Sequence, residues 1–129
     1  MPLPFFRRRV FAKSNAKSFA GHKEEALAFV HAHIKYFNEI YGFDFAKVAV
    51  KNQKTRWGSC SKKGNLNFNY KIIFLPPKLA DYIIVHELCH LGEMNHSAKF
   101  WNLVARTTPN YRERRRELNK TGVFLKRNL

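Results

Sequence analysis

The chain has 129 residues, 45% of them hydrophobic and 15% aromatic, which is a globular composition and excludes a disordered or low-complexity protein. Lys and Arg number 24 against 9 acids, a formal net charge of +15, so polyanions such as nucleic acid are natural partners. No apolar run approaches the ~20 residues needed to cross a bilayer, so no membrane association is expected.

The length suits a single domain that buries about two-thirds of its unfolded surface. Residues 1–20 are basic and read as an arm, with a strand expected near Arg9–Ala12. Arg7–Arg9 are not followed by the apolar stretch of a secretory signal, which points to the cytoplasm. The two cysteines, Cys60 and Cys89, are then expected as free thiols.

From about His22 to Tyr41, Leu27, Val30, Ile34, Phe37 and Tyr41 recur at helical spacing, and Gly42 supplies a stop. His31 and His33 ride on this helix and are read as solvated or capping side chains. Phe45–Val50 alternates weakly, as a strand does. Arg56–Ser61 and Asn65–Asn69 flank the turn Lys62-Lys63-Gly64, which predicts a hairpin. Leu66 and Phe68 would face one side. Asn65, Asn67 and Asn69 would face the other, toward water or a substrate backbone, with Asn65–Asn69 as an edge strand.

Tyr70–Leu75 is apolar and ends at Pro76-Pro77, where a helix is expected to begin. That helix should run for about four turns to Gly92. It carries His86-Glu87-Leu-Cys-His90, and His96 follows six residues later. Residues four apart on a helix lie about 40° apart around the axis and about 6 Å apart along it, so His86 and His90 can share one ion. Glu87 lies about 100° round, beside the ion rather than on it. With His96 as a third ligand, the set matches a catalytic zinc site, which uses three protein ligands and leaves one position open. A shuffled copy of this composition would contain this pattern about once in 1,500 times.

Apart from Tyr82 and Cys89, the residues around the two histidines and Glu87 between Tyr82 and Leu91 are all Ile, Val or Leu. A helix apolar all round is a buried one, and burying a carboxylate and two imidazoles costs free energy unless they are paired or bind metal. Cys89 is offset about 60° from His86 and is read as a small apolar residue. A second helix is predicted from Ser97 to about Thr107, with Phe100, Trp101 and Val104 buried. A third is predicted from Pro109 to about Asn119. The tail from Thr121 has no clear pattern.

Several blocks resemble the YgjP-like metallopeptidase domain, related to the SprT and WLM groups of zinc-dependent peptidases. They are Arg56-Trp-Gly-Ser-Cys-Ser61, Gly64–Asn69, His86–Leu91, Asn95-His-Ser97, Phe100-Trp101 and Pro109-Asn-Tyr-Arg112. The resemblance runs from about Thr55 to Leu118. It implies an α+β, zincin-like fold with an N-terminal helix, a small mainly antiparallel sheet, a buried metal helix and closing helices. It also implies His86, His90 and His96 as zinc ligands and Glu87 as the catalytic residue. Relatives in those groups act on DNA-bound proteins, so DNA or RNA joins a protein or peptide substrate among the expected partners. Position 93 is Glu and the glycine stands at 92, so the pattern is not that of the metzincins.

Zinc-dependent peptide hydrolysis is the function these residues point to, with Tyr111 or Arg112 as candidate second oxyanion donors. Two alternatives stay open at this point. Glu113 or Glu117 would replace His96 in a thermolysin-type site, and a basic nucleic-acid-binding protein would use the ion structurally.

Overall fold

The computed structural model describes residues 18–121, so the expected strand at Arg9–Ala12 and the tail beyond Thr121 lie outside the described residues. Helix α1 spans Phe19–Tyr41. It begins three residues earlier than the apolar stripe indicates because Ser18 caps it, its Oγ accepting the Gly21 N–H at 2.9 Å. It ends at Gly42, whose φ of +70° lets its N–H close back on the Asn38 carbonyl at 2.8 Å. The face carrying Ala26, Phe29, Val30, Ile34 and Phe37 is buried.

Three strands follow: β1 (Lys47–Lys51), β2 (Gly58–Cys60) and β3 (Asn65–Asn69). The order in the sheet is β1-β3-β2. The hairpin is present, with β2 antiparallel to β3 and Ser59 opposite Asn67. The other pairing is parallel, with Val48 beside Leu66 and Val50 beside Phe68, so the sheet is mixed. Asn65–Asn69 is therefore the central strand, not an edge, and no peptide can pair with it. Leu66 and Phe68 do point into the core, both fully buried.

Two of the asparagines, Asn67 and Asn69, turn out to serve the chain itself. Buried Asn69 donates from Nδ2 to the carbonyls of Gln53 and Arg56 at 2.8 and 3.1 Å and accepts the Lys71 N–H on Oδ1. Asn67 Nδ2 reaches Ser59 Oγ across the hairpin at 3.4 Å. Tyr70–Phe74 then forms a short 3-10 helix.

Helix α2, Pro77–Cys89, is the central element. Every residue from Tyr82 to Cys89 is buried, as its apolar composition requires. Each such Ile or Leu is worth roughly 1.5–3 kcal/mol of transfer free energy. Asp81 Oδ1 accepts from His33 Nδ1 at 2.7 Å and fastens α2 to α1. The helix stops short of Gly92. His90 is its C-cap, at φ −65° and ψ −18°, still helical enough to stay one turn above His86.

Helix α3 spans Ala98–Ala105 after Ser97, and Phe100 and Val104 are its buried residues, while Trp101 is half-buried. Tyr41 Oη donates to the Leu103 carbonyl at 2.6 Å, tying the end of α1 to α3. Helix α4 spans Tyr111–Thr121, two residues later than Pro109 suggests. The Asn110 carbonyl accepts its first helical bonds, from the N–H groups of Glu113 and Arg114. Among the described residues, no helix is long and apolar enough to cross a membrane.

Gly92 lets the turn after α2 pack closely. A Cβ there would lie 2.7 Å from Phe43 Cζ and 3.0 Å from Leu103 Cδ1. Gly92→Ala is expected to lower stability by about 1–3 kcal/mol, as overpacking does, measured by urea unfolding.

Candidate metal centre

Helix α2 sets His86 and His90 on one face, and the turn after it returns His96 to the same point. The Nε2 atoms of the three rings form a nearly equilateral triangle: His86 to His90 3.2 Å, His86 to His96 3.2 Å, His90 to His96 3.1 Å. A neutral imidazole has one N–H, so three nitrogens facing one another cannot all be satisfied by mutual hydrogen bonds. A tetrahedral ion with metal–nitrogen distances of about 2.0–2.1 Å would set its ligand nitrogens about 3.3 Å apart. The trio fits a metal ion on geometry and on donor chemistry. Among the described residues it is the one His, Cys, Asp or Glu group that does so.

His86 and His90 are buried and His96 is exposed, so the centre lies at the surface end of a buried helix. Burial, reinforced by the neighbouring His90, His96 and Arg115, holds the His86 pKa well below the usual histidine value. Burial also lowers that of His90, against the opposing effect of its bond to the Glu93 carbonyl. Low pKa values leave rings neutral, the form that binds metal. His90 Nδ1 lies 3.1 Å from the Glu93 carbonyl, which can only accept, so Nδ1 carries the hydrogen and Nε2 keeps its lone pair. His86 Nδ1 is buried with no hydrogen-bond partner, so rings hold it in place instead.

Those rings form a wall that periodicity marks only as core. Phe100 stacks on His90 at 4.4 Å and stands edge-on to His86 and His96, both at 5.0 Å. Trp101 stacks on His96 at 5.8 Å and lies 5.9 Å from His86. Tyr111 stacks on Trp101 at 4.7 Å, and the Arg112 guanidinium sits 5.2 Å from the Tyr111 ring. The signal in the chain was the Phe100-Trp101 pair, one helical turn after His96.

Glu87 is buried on the side facing the sheet, and β2 passes directly over it at Gly58. A Cβ on Gly58 would lie 3.0 Å from Glu87 Cγ, 3.2 Å from its Oε2 and 3.0 Å from the Asn67 carbonyl. Gly58 is a site residue that sequence reading missed. It stood only within the Arg56–Ser61 block, with nothing to show what it faced.

The remaining candidates are elsewhere. His33 is engaged by Asp81, and His31 lines a shallow groove with Ile34, Lys35 and Phe45. Glu117 pairs with Arg114 at 2.8 Å and with Lys78 at 3.8 Å, and Glu113 is not in the metal-fitting group. Both cysteines are free. Burial pushes the Cys89 thiol up to about 12 and that of Cys60 up to about 11, so neither offers a ready thiolate.

The fold is that of metallopeptidases of known structure. The chain is similar to the metallopeptidase zymogen abylysin of Pyrococcus abyssi, with a TM-score of 0.67 and 24% identity over 78% of this chain and 98% of that one. It is also similar to the metallopeptidase zymogen jannalysin of Methanocaldococcus jannaschii, with a TM-score of 0.62 and 21% identity over 71% and 95%. No curated protein matches the chain significantly. The family model described as YgjP-like, metallopeptidase domain, matches residues 11–121, and the chain belongs to that family. It is a metallopeptidase.

Gly58→Ala is expected to displace the Glu87 carboxylate. Peptide hydrolysis should fall about tenfold or more, while the metal content of the purified protein stays unchanged.

Proposed function

We propose that the protein hydrolyses peptide bonds with zinc held by His86, His90 and His96 and with Glu87 as general base. The observation that carries this reading is the triangle of Nε2 atoms 3.1–3.2 Å apart, formed at the end of the helix that also carries buried Glu87 and closed by His96 from the following turn. Zinc would supply Lewis-acid polarisation of the scissile carbonyl and acidify water to a pKa near ~7. Glu87 takes the proton from the attacking water and delivers it to the leaving amine. Burial of Glu87, His86 and His90 takes them out of bulk water, which strengthens the charge interactions they make. Three protein ligands favour catalysis over a structural role, because structural zinc sites are closed by four.

The substrate backbone is best placed along β2. Trp57 and Ser61 turn their backbone bonds toward β3, through Asn69 N–H to Trp57 O at 2.8 Å and Ser61 N–H to Asn65 O at 3.0 Å. The backbone groups of the alternating residues, Gly58 and Cys60, therefore face the opposite edge, which has no partner among the described residues. An extended peptide can add a strand there, next to Glu87. The net charge of +15 supports action on proteins bound to nucleic acid, and a single-domain enzyme of the cytoplasm completes the reading.

Glu87→Gln is expected to abolish turnover while zinc stays bound, shown by peptide cleavage beside metal analysis. A fully active variant would remove Glu87 from its role. His96→Ala should lose most of the bound zinc and Glu113→Ala should keep it. The reverse result would make the site a thermolysin-type one.

A further inference from the structure

An exposed positive charge lies beside the stack of rings at the metal centre. His96, Trp101 and Tyr111 lie face to face in sequence, at 5.8 and 4.7 Å. The Arg115 guanidinium sits 5.7 Å from the Trp101 ring centre and is exposed. Its neighbour Arg114 is occupied by Glu117 at 2.8 Å. Arg115 has no carboxylate partner among the described residues.

Two stacked separations bound the distance from Arg115 to the His96 ring at about 11.5 Å, and an extended peptide advances about 3.3–3.6 Å per residue. Arg115 is therefore within about three residues of any bond cleaved at the histidines. The planar guanidinium, held beside the Trp101 ring, can take a carboxylate through two parallel hydrogen bonds.

We propose that Arg115 is a specificity-determining residue of the peptidase, which binds a substrate carboxylate within three residues of the scissile bond. This deepens the zinc peptidase reading and rests on it. The carboxylate is either an Asp or Glu side chain or the substrate's own C-terminus, which share one chemistry.

The test uses zinc-loaded full-length protein carrying Glu87→Gln, so that binding is read without turnover. Fluorescein-labelled hexapeptides of three kinds are titrated by polarisation: neutral with an amidated end, neutral with a free C-terminus, and Glu-containing with an amidated end. One or both carboxylate-bearing peptides should bind about tenfold tighter than the neutral amide, and which one does identifies the source of the carboxylate. Adding Arg115→Gln should erase that preference. Adding Arg116→Gln, the same charge change one residue away, should leave it.

An equal loss from both variants would assign the preference to the general field of a +15 protein and overturn the proposal. No loss from Arg115→Gln would overturn it equally. With Glu87 intact, Arg115→Gln should raise KM for carboxylate peptides and leave kcat alone. A uniform fall in kcat on all peptides would place Arg115 in the chemical step and overturn the specificity role. Failure to cleave any peptide would count against the hydrolytic reading, while the binding comparison would still decide the role of Arg115.

Discussion

Three imidazole nitrogens brought within 3.2 Å of one another are the constraint around which this molecule is built. Their lone pairs repel unless a cation lies between them, and burial of His86 and His90 removes the water that would otherwise solvate them. The fold meets this cost with rings rather than with polar partners. Phe100 touches all three histidines, Trp101 closes the side toward α4, and His90 has its outer nitrogen tied to a carbonyl while that of His86 has no polar partner. A rigid apolar box of this kind holds the rings in position before an ion arrives, and that lowers the cost of assembling the site.

The same economy of space governs the side of α2 that faces the sheet. Glu87 is sandwiched between α2 and the sheet, and β2 passes over it only because residue 58 has no side chain. The central position of β3 then matters twice. It buries Leu66 and Phe68 against the core, and it leaves β2 on the outside, with the backbone of Gly58 and Cys60 turned outward beside Glu87. Asn69, which looks from the chain like a contact for substrate, instead anchors the loop from Gln53 to Arg56 that leads into β2.

Charge is distributed with comparable consequence. Helix α4 carries Arg112, Arg114, Arg115 and Arg116, and its two acids do not balance them. One arginine is spent on Glu117 and two lie against aromatic faces next to the metal centre. Part of the chain's positive field thus lies beside the histidine trio.

Much of this was legible in the chain. Helical spacing alone put His86 and His90 on one face, because 3.6 residues per turn makes that placement geometric. The apolar run around them required a buried helix, and Lys62-Lys63-Gly64 between two extended segments required a hairpin. These are local facts, set by neighbours a few residues apart. The parallel pairing of β1 with β3, the central place of β3, the approach of Gly58 to Glu87 and the rank of rings from His96 to Arg115 are contacts between residues far apart in the chain. No local periodicity encodes them, since each depends on how separate elements pack once their apolar faces are buried together. The spacing of His86, Glu87, His90 and His96 was therefore determined by sequence, while the cradle over Glu87, the open edge of β2 and the place of Arg115 beside Trp101 were decided only by tertiary packing.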